Sequence, residues 1–208
     1  MDTGPARRRP HAAGEPAPTP ANPPKAVGFA VEYRLDDKDR IVAVNEDWRR
    51  FASANGGPGL APEQVVGRSL RDFISGDVTR MFVDTLLQSV RLTGRERKLA
   101  YRCDSPEAKR YMEMVVAPAA DGGIVSRHRL VREERFAAAI PFVASPGARR
   151  ALVKRCSMCN RLSRNGGELV EADVARREGW LAPVGATPVI YFVCPACRRL
   201  VEGQRARP

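Results

Sequence analysis

A chain of 208 residues, 43% hydrophobic and 28% charged, can bury one ordinary core and a smaller second one. Its 35 lysines and arginines against 24 acidic residues give a net charge of +11, which points toward an acidic or polyanionic partner and makes a neutral small-molecule enzyme a poor first expectation. No run approaches the ~20 apolar residues of a spanning helix, because Phe136 to Ala148 and Leu181 to Val193 are both broken by proline, so no membrane partner is expected.

Residues 1–26 hold seven of the 17 prolines and show no apolar periodicity. Such a segment cannot bury enough surface to offset its ordering entropy, so the composition predicts a disordered Pro/Ala/Arg-rich arm. Arg7–Arg9 is followed by proline and alanine, not by an apolar stretch, so an export signal is not expected and the reading is cytoplasmic.

Order is predicted from Val27. Val31, Tyr33 and Leu35 alternate with Glu32 and Arg34, the period of a half-buried strand. Asp36-Asp37-Lys38-Asp39 is a turn cluster, and Ile41 to Val44 completes a hairpin. Asn45 is placed to cap a helix over Glu46 to Ala54. Short helical turns follow over residues 63–75, then a long helix from Asp77 to about Leu92, ending before Gly94. Its apolar positions cover more than half of its circumference. One side should pack on a sheet and the other needs a second cover, for which the apolar stretch Phe136 to Val143 is the candidate. Three alternating strands are read around Leu99–Cys103, Met112–Val116 and Ile124–Val131, with turns at Ser105-Pro106-Glu107 and Asp121-Gly122-Gly123.

The pieces YRLDDKDRIVAVNEDW, VVGRSLRDFI, the long helix and the hairpin leading to DGGIVSRHRLV, in that order, resemble a PAS domain over roughly residues 27–135. The resemblance implies an α+β fold: a five-stranded antiparallel sheet with helices on one face. It also implies a role in sensing a small ligand or in protein association, including homodimers, rather than catalysis. No cysteine follows Asn45 in its helix and no histidine lies on the long helix, so neither a covalent flavin nor a haem is expected. The candidate ligand-pocket residues are Phe73, Phe82, Leu86, Tyr101, Met112, Met114, Ser126 and His128. His128 can be either a pocket group titrating near neutrality or a hydrogen-bonded core histidine. Cys103 reads as a small buried hydrophobe, and Trp48 with Phe51 as core anchors.

Residues 136–152 read as a linker. Beyond them, Cys156-Ser157-Met158-Cys159 and Cys194-Pro195-Ala196-Cys197 supply four thiolates, the donor set of a tetrahedral zinc. Four thiolates leave no open position for water, so the expected zinc is structural. The 34 residues between the pairs hold a predicted helix, Leu169 to Glu178, then Trp180, then a strand, Ile190 to Val193, running into the second pair. The residue after each pair commonly needs positive φ; Asn160 tolerates it and Arg198 does not do so readily. CSMCNRL, Trp180 and YFVCPAC are similar to a small zinc-ribbon-like module found after PAS domains in some bacterial signalling proteins. That module covers residues 153–201 and leaves 202–208 as a flexible tail. A thioredoxin-like pair lacks its βαβ context here, while a zinc-thiolate redox sensor stays open.

The charge is uneven. Residues 136–208 carry 12 basic and five acidic residues, +7 of the total, against +2 in each of the two preceding parts. A zinc tetrathiolate would lower the +7 by two. The candidate basic surface is Arg149, Arg150, Lys154, Arg161, Arg164, Arg176, Arg177 and Arg199. Arginine dominance suits phosphate contact, and Trp180, Tyr191 and Phe192 could stack on bases. Arg155 and Arg198 can equally serve to offset thiolate charge. The reading is therefore a non-enzymatic signal-sensing or regulatory protein with a structural zinc module facing a protein partner, or else a nucleic-acid-binding regulator.

Overall fold

A computed structural model describes residues 30–54, 58–145 and 153–203. The arm 1–26, residues Arg149 and Arg150, and the tail beyond 203 lie outside the described residues. The chain forms an α+β structure with two sheets.

The first sheet is wholly antiparallel, in the order β2-β1-β5-β4-β3. Its strands are β1 (Ala30–Leu35), β2 (Ile41–Val44), β3 (Arg97–Arg102), β4 (Ala108–Pro118) and β5 (Ile124–Arg135). The β1–β2 turn forms because Asp36 Oδ1 accepts from the amides of Lys38 and Arg40 at 3.0 and 2.8 Å. Asp39 takes a positive φ of 60° there, which a short polar side chain tolerates. Asn45 does more than cap α1 (Glu46–Ala54): its Oδ1 accepts from Trp48 N and Glu32 N, and its Nδ2 donates to Ala30 O. The segment Gly67–Leu70 covers the outer edge of β2, through Ile41 N to Arg68 O and Gly67 N to Ile41 O. Gly67 has φ 86°, which explains the glycine.

Helix α2 (Pro62–Val65), a 3-10 turn at Leu70–Phe73 and helix α3 (Asp77–Thr93) cross one face. Leu86, Leu87 and Val90 of α3 bury against Leu35, Ile41, Leu99, Val116 and Ile124. Gly94, left-handed at φ 62°, ends the helix where the sequence predicts. The opposite sheet face carries cross-strand ion pairs, Arg127–Glu32 at 2.6 Å, Arg129–Glu113 at 3.0 Å and Lys98–Glu113 at 2.9 Å. Alternation thus sorts apolar residues inward and charges outward, as a one-sided antiparallel sheet requires.

The second sheet has the order β6-β9-β7-β8, with β6 (Phe142–Ala144), β7 (Val153–Cys156), β8 (Leu162–Arg164) and β9 (Thr187–Phe192). Strand β9 pairs parallel with both β6 and β7, and β7 pairs antiparallel with β8. Helix α4 (Ala172–Arg177) buries Ala172 and Ala175 in a core with Ile140, Val153, Leu162 and Val189. Helix α5 (Pro195–Gly203) follows β9.

Three expectations need correction. Phe136 to Val143 does not cover α3: Phe136 and Ile140 pack in the second core, and Phe142–Ala144, expected in the linker, is a strand of the second sheet. The predicted helix Leu169 to Glu178 is shorter, because Val170 is held in a reciprocal backbone bridge to Leu162 at 2.8 Å. The second C-x-x-C pair opens a helix, so the residue after it, Arg198, is helical and needs no positive φ. Pro195 supplies the preset φ of a first helical position.

Candidate metal centre

The first C-x-x-C pair sits on the turn between β7 and β8, and the second in the first turn of α5. The two pairs meet because β9, which leads into Cys194, lies beside β7, which leads into Cys156. The four sulfurs all lie within 4.8 Å of one another, and Cys156, Cys194 and Cys197 are buried. A tetrahedron with Zn–S of about 2.3 Å has edges of about 3.8 Å; Cys159 Sγ to Cys194 Sγ is 4.0 Å. The donor set therefore has the size a four-coordinate thiolate site needs.

Backbone amides aim at the sulfurs, Cys194 N at Cys156 Sγ (3.4 Å) and Cys197 N at Cys194 Sγ (3.5 Å). Such N–H···S contacts stabilise thiolate. Hydrogen bonds from the Cys159 and Cys197 thiols pull Cys156 well below the ordinary thiol range. The negative Cys156 sulfur then pushes Cys159 up to about 11, and Cys197 also upward. Four crowded sulfurs cannot all ionise unless a cation shares them.

Asn160 does turn left-handed, at φ 56°. Arg198 has no such task, because its N–H donates to Cys194 O at 2.9 Å inside a helix.

The first pair also faces the first sheet. Met158 is buried in the cluster that contains Leu86, Leu99 and Val116. Arg102 N donates to Met158 O at 2.7 Å, Asn160 Nδ2 donates to Arg102 O at 3.1 Å, and Ser157 Oγ lies 2.6 Å from Thr79 Oγ1 on α3. On α3 the knuckle meets Thr79 in the first turn, while Val78, Met81 and Leu92 remain exposed.

A buried charge network reinforces this contact. Arg102 holds Asp104 through Nε (3.0 Å) and Nη2 (2.5 Å) and reaches Glu171 Oε2 at 2.6 Å. Arg155 sits 3.7 Å from Asp104 and over the Phe142 ring at 4.3 Å. Glu171 also takes Arg161 at 3.0 Å, and Lys109 pairs with Asp173 at 3.1 Å. The carboxylates more than offset burial in keeping Arg102 protonated, and the same cations hold Glu171 below its ordinary value despite burial. Sequence reading missed Asp104 and Glu171, and it assigned Arg155 to the thiolates when its partners are Asp104 and Phe142. Nothing local marks these pairings, since Arg102 and Glu171 are 69 positions apart.

The other sequence-nominated residues divide. Phe73, Phe82, Leu86, Tyr101 and Met114 join one apolar cluster; Met112 is buried outside it, beside the irregularity at Tyr111/Met112. His128 Nδ1 meets Tyr101 Oη at 2.7 Å, its Nε2 meets Ser126 Oγ at 2.9 Å, and its ring stacks on Tyr33 at 5.4 Å. Burial lowers its pKa to about 4, so it is a neutral, hydrogen-bonded core histidine at physiological pH. Burial also pushes the Cys103 thiol up, in keeping with an unreactive side chain. Of the basic candidates, Arg161 is paired with Glu171, and Arg176 donates to the Ala138 and Ala139 carbonyls, closing one side of a cleft of about 640 Å³. Lys154, Arg164, Arg177 and Arg199 carry no ion pair among the described residues.

No helix among the described residues is long and apolar enough to cross a membrane. No protein-family model matches the chain. It is 33% identical over 124 residues to the uncharacterized 104.1 kDa protein in the hypE 3′ region of Rhodobacter capsulatus; the match covers 54% of this chain but only 13% of that protein. Similar solved structures include a sensory box sensor histidine kinase from Vibrio cholerae (10% identity, 50% of this chain and 82% of that one, TM-score 0.36). Two more come from Haloarcula marismortui. One is a domain of an HTR-like protein (12% identity, 49% and 97%, TM-score 0.35), and the other a PAS domain of an HTR-like protein (15% identity, 51% and 84%, TM-score 0.32).

Proposed function

We propose that the chain is a non-catalytic sensory or regulatory unit of a cytoplasmic signalling protein. Residues 27–135 act as a PAS-like sensor or association domain, and one structural zinc on Cys156, Cys159, Cys194 and Cys197 builds the module over residues 153–201. The observation that carries the reading is the mutual approach of four sulfurs within 4.8 Å, on two elements that the rest of the fold independently brings together. Thiolate-only donors favour zinc among common divalent ions, and a full thiolate shell leaves no site for substrate. The strand order β2-β1-β5-β4-β3 with helices on one face agrees with the PAS resemblance. The partner we favour is another protein, because Arg161 and Arg176 are already engaged inside the fold.

Elemental analysis of the purified full chain tests this. About one zinc per chain is expected, lost in Cys156→Ser and Cys194→Ser. A fully reduced protein with no metal overturns the assignment. Native mass spectrometry of the same sample reads any retained small ligand and the oligomeric state.

A further inference from the structure

The first metal knuckle does two jobs with the same atoms. Arg102 is the last residue of β3, an edge strand of the first sheet. Its N–H and C=O are both taken from outside the sheet, by Met158 O and Asn160 Nδ2. The knuckle thus extends the sheet edge by one rung, with the Asn160 amide standing in for a backbone donor. Asn160 takes a left-handed φ of 56°, and its own N–H closes the knuckle onto Cys156 O at 2.9 Å, so one residue both completes the cysteine turn and meets the sheet edge. On the other flank Ser157 meets Thr79 in the first turn of α3, and Tyr191 of β9 presses on Gly76, where an added Cβ would stand 3.3 Å from Tyr191 Cβ. Between these two flanks Met158 enters the sensor core, 7% exposed.

We infer that this knuckle is a metal-set clamp bridging α3 and the β3 edge, so that metal occupancy and the conformation of the sensor domain are coupled. The inference rests on the metal reading above and adds a regulatory link to it. Coupling of this kind is reciprocal. A change that moves α3 or β3, such as occupation of the sensor core by a ligand, alters metal affinity by the factor through which metal alters the sensor. The clamp is local: β1 and β5, at the centre of the sheet, touch none of the knuckle bonds named here.

Hydrogen exchange on the full chain, metal-loaded and chelator-stripped, reads the first arm of the coupling. Stripping is expected to speed exchange in Arg97–Arg102 and in the first turns of α3, while β1 and β5 keep their protection. Competition of a metal-binding dye against wild type and Thr79→Val reads the second arm. Thr79 touches no sulfur, yet losing its bond to Ser157 should weaken zinc binding about 2- to 12-fold, the equivalent of one net hydrogen bond. If a metal-loaded chain exchanges identically after stripping, or loses protection evenly through β1 and β5, the clamp is wrong. Wild-type affinity in Thr79→Val is equally decisive against it. If wild type binds no metal, it is the metal reading itself that fails.

Discussion

Asp104 is the buried carboxylate at which Arg102 of the first sheet and Arg155 of the second meet. Its side chain is 1% exposed and receives two bonds from Arg102, with Arg155 at 3.7 Å. Asp104→Asn keeps the shape and the acceptor for Arg110 N, but it removes the charge and places an NH₂ group against a guanidinium. Arg102 retains Glu171; Arg155 loses the carboxylate it faces among the described residues. Two charges about 4 Å apart at an effective dielectric near 20 attract by about 4 kcal/mol, and breaking one side of a buried pair costs about 3–5 kcal/mol. For a domain of this size that is a fall in Tm of roughly 6–20 °C. The assay uses the two tryptophans, Trp48 in the first core and Trp180 in the second. Trp180→Phe leaves Trp48 to report the first core, and Trp48→Phe leaves Trp180 to report the second. In each background Asp104→Asn should lower both transitions together. If only one shifts, or neither by as much as 1 kcal/mol, the network does not join the two units and the argument from its burial is refuted.

Three further outcomes are expected. His128 has its pKa lowered to about 4 from 6.5, so the unfolded chain takes up its proton first as pH falls. Its contribution to stability is constant above pH 6.5 and declines from there toward pH 4, by up to about 3 kcal/mol; chemical denaturation of His128→Gln should show a shallower fall than wild type between about pH 5.5 and 6.5, above the window in which the lowered carboxylates Glu171 and Glu113 lose their contribution. Gly76→Ala forces a side chain onto φ 85° and against Tyr191, and should cost about 1–3 kcal/mol with a matching fall in the Trp180-reported transition; an unchanged midpoint would mean α3 and β9 are not in contact. Gly123→Ala drives a Cβ from the β4–β5 turn into the Leu35 carbonyl oxygen at the end of β1, so circular dichroism should show a less stable or unfolded first sheet, and wild-type melting would contradict the Leu35–Ile124 register.

Much of the first sheet was legible because its information is local. Alternation over Val31–Leu35, the Asp36 turn, Asn45 ahead of an apolar helix and Gly94 after one are each written within a few residues. The four cysteines were legible for the same reason, since a two-residue spacer is a short-range pattern. What escaped was pairing at a distance. Phe142–Ala144 is apolar enough to be a cover for α3, and only the presence of β9 makes it a strand. Met158 gives no local sign of its role, since the core it enters, with Leu86, Leu99 and Val116, lies far earlier in the chain. The charge argument weakened for a similar cause: Arg155, Arg161 and Arg176 count toward a basic surface in composition, yet all three are occupied within the fold.

Strand β9 is the latest of the nine described strands in chain order, and it lies between β6 and β7, which are not bonded to each other. Until Thr187–Phe192 has been synthesised, the second sheet has no middle, and neither Cys156 nor Cys159 has its opposite pair. During synthesis, residues 142–164 must therefore wait with two unpaired strand edges and two bare thiols. Parallel pairings of this range are slow to close. The second sheet and the four-sulfur site are thus completed together, by the same late strand.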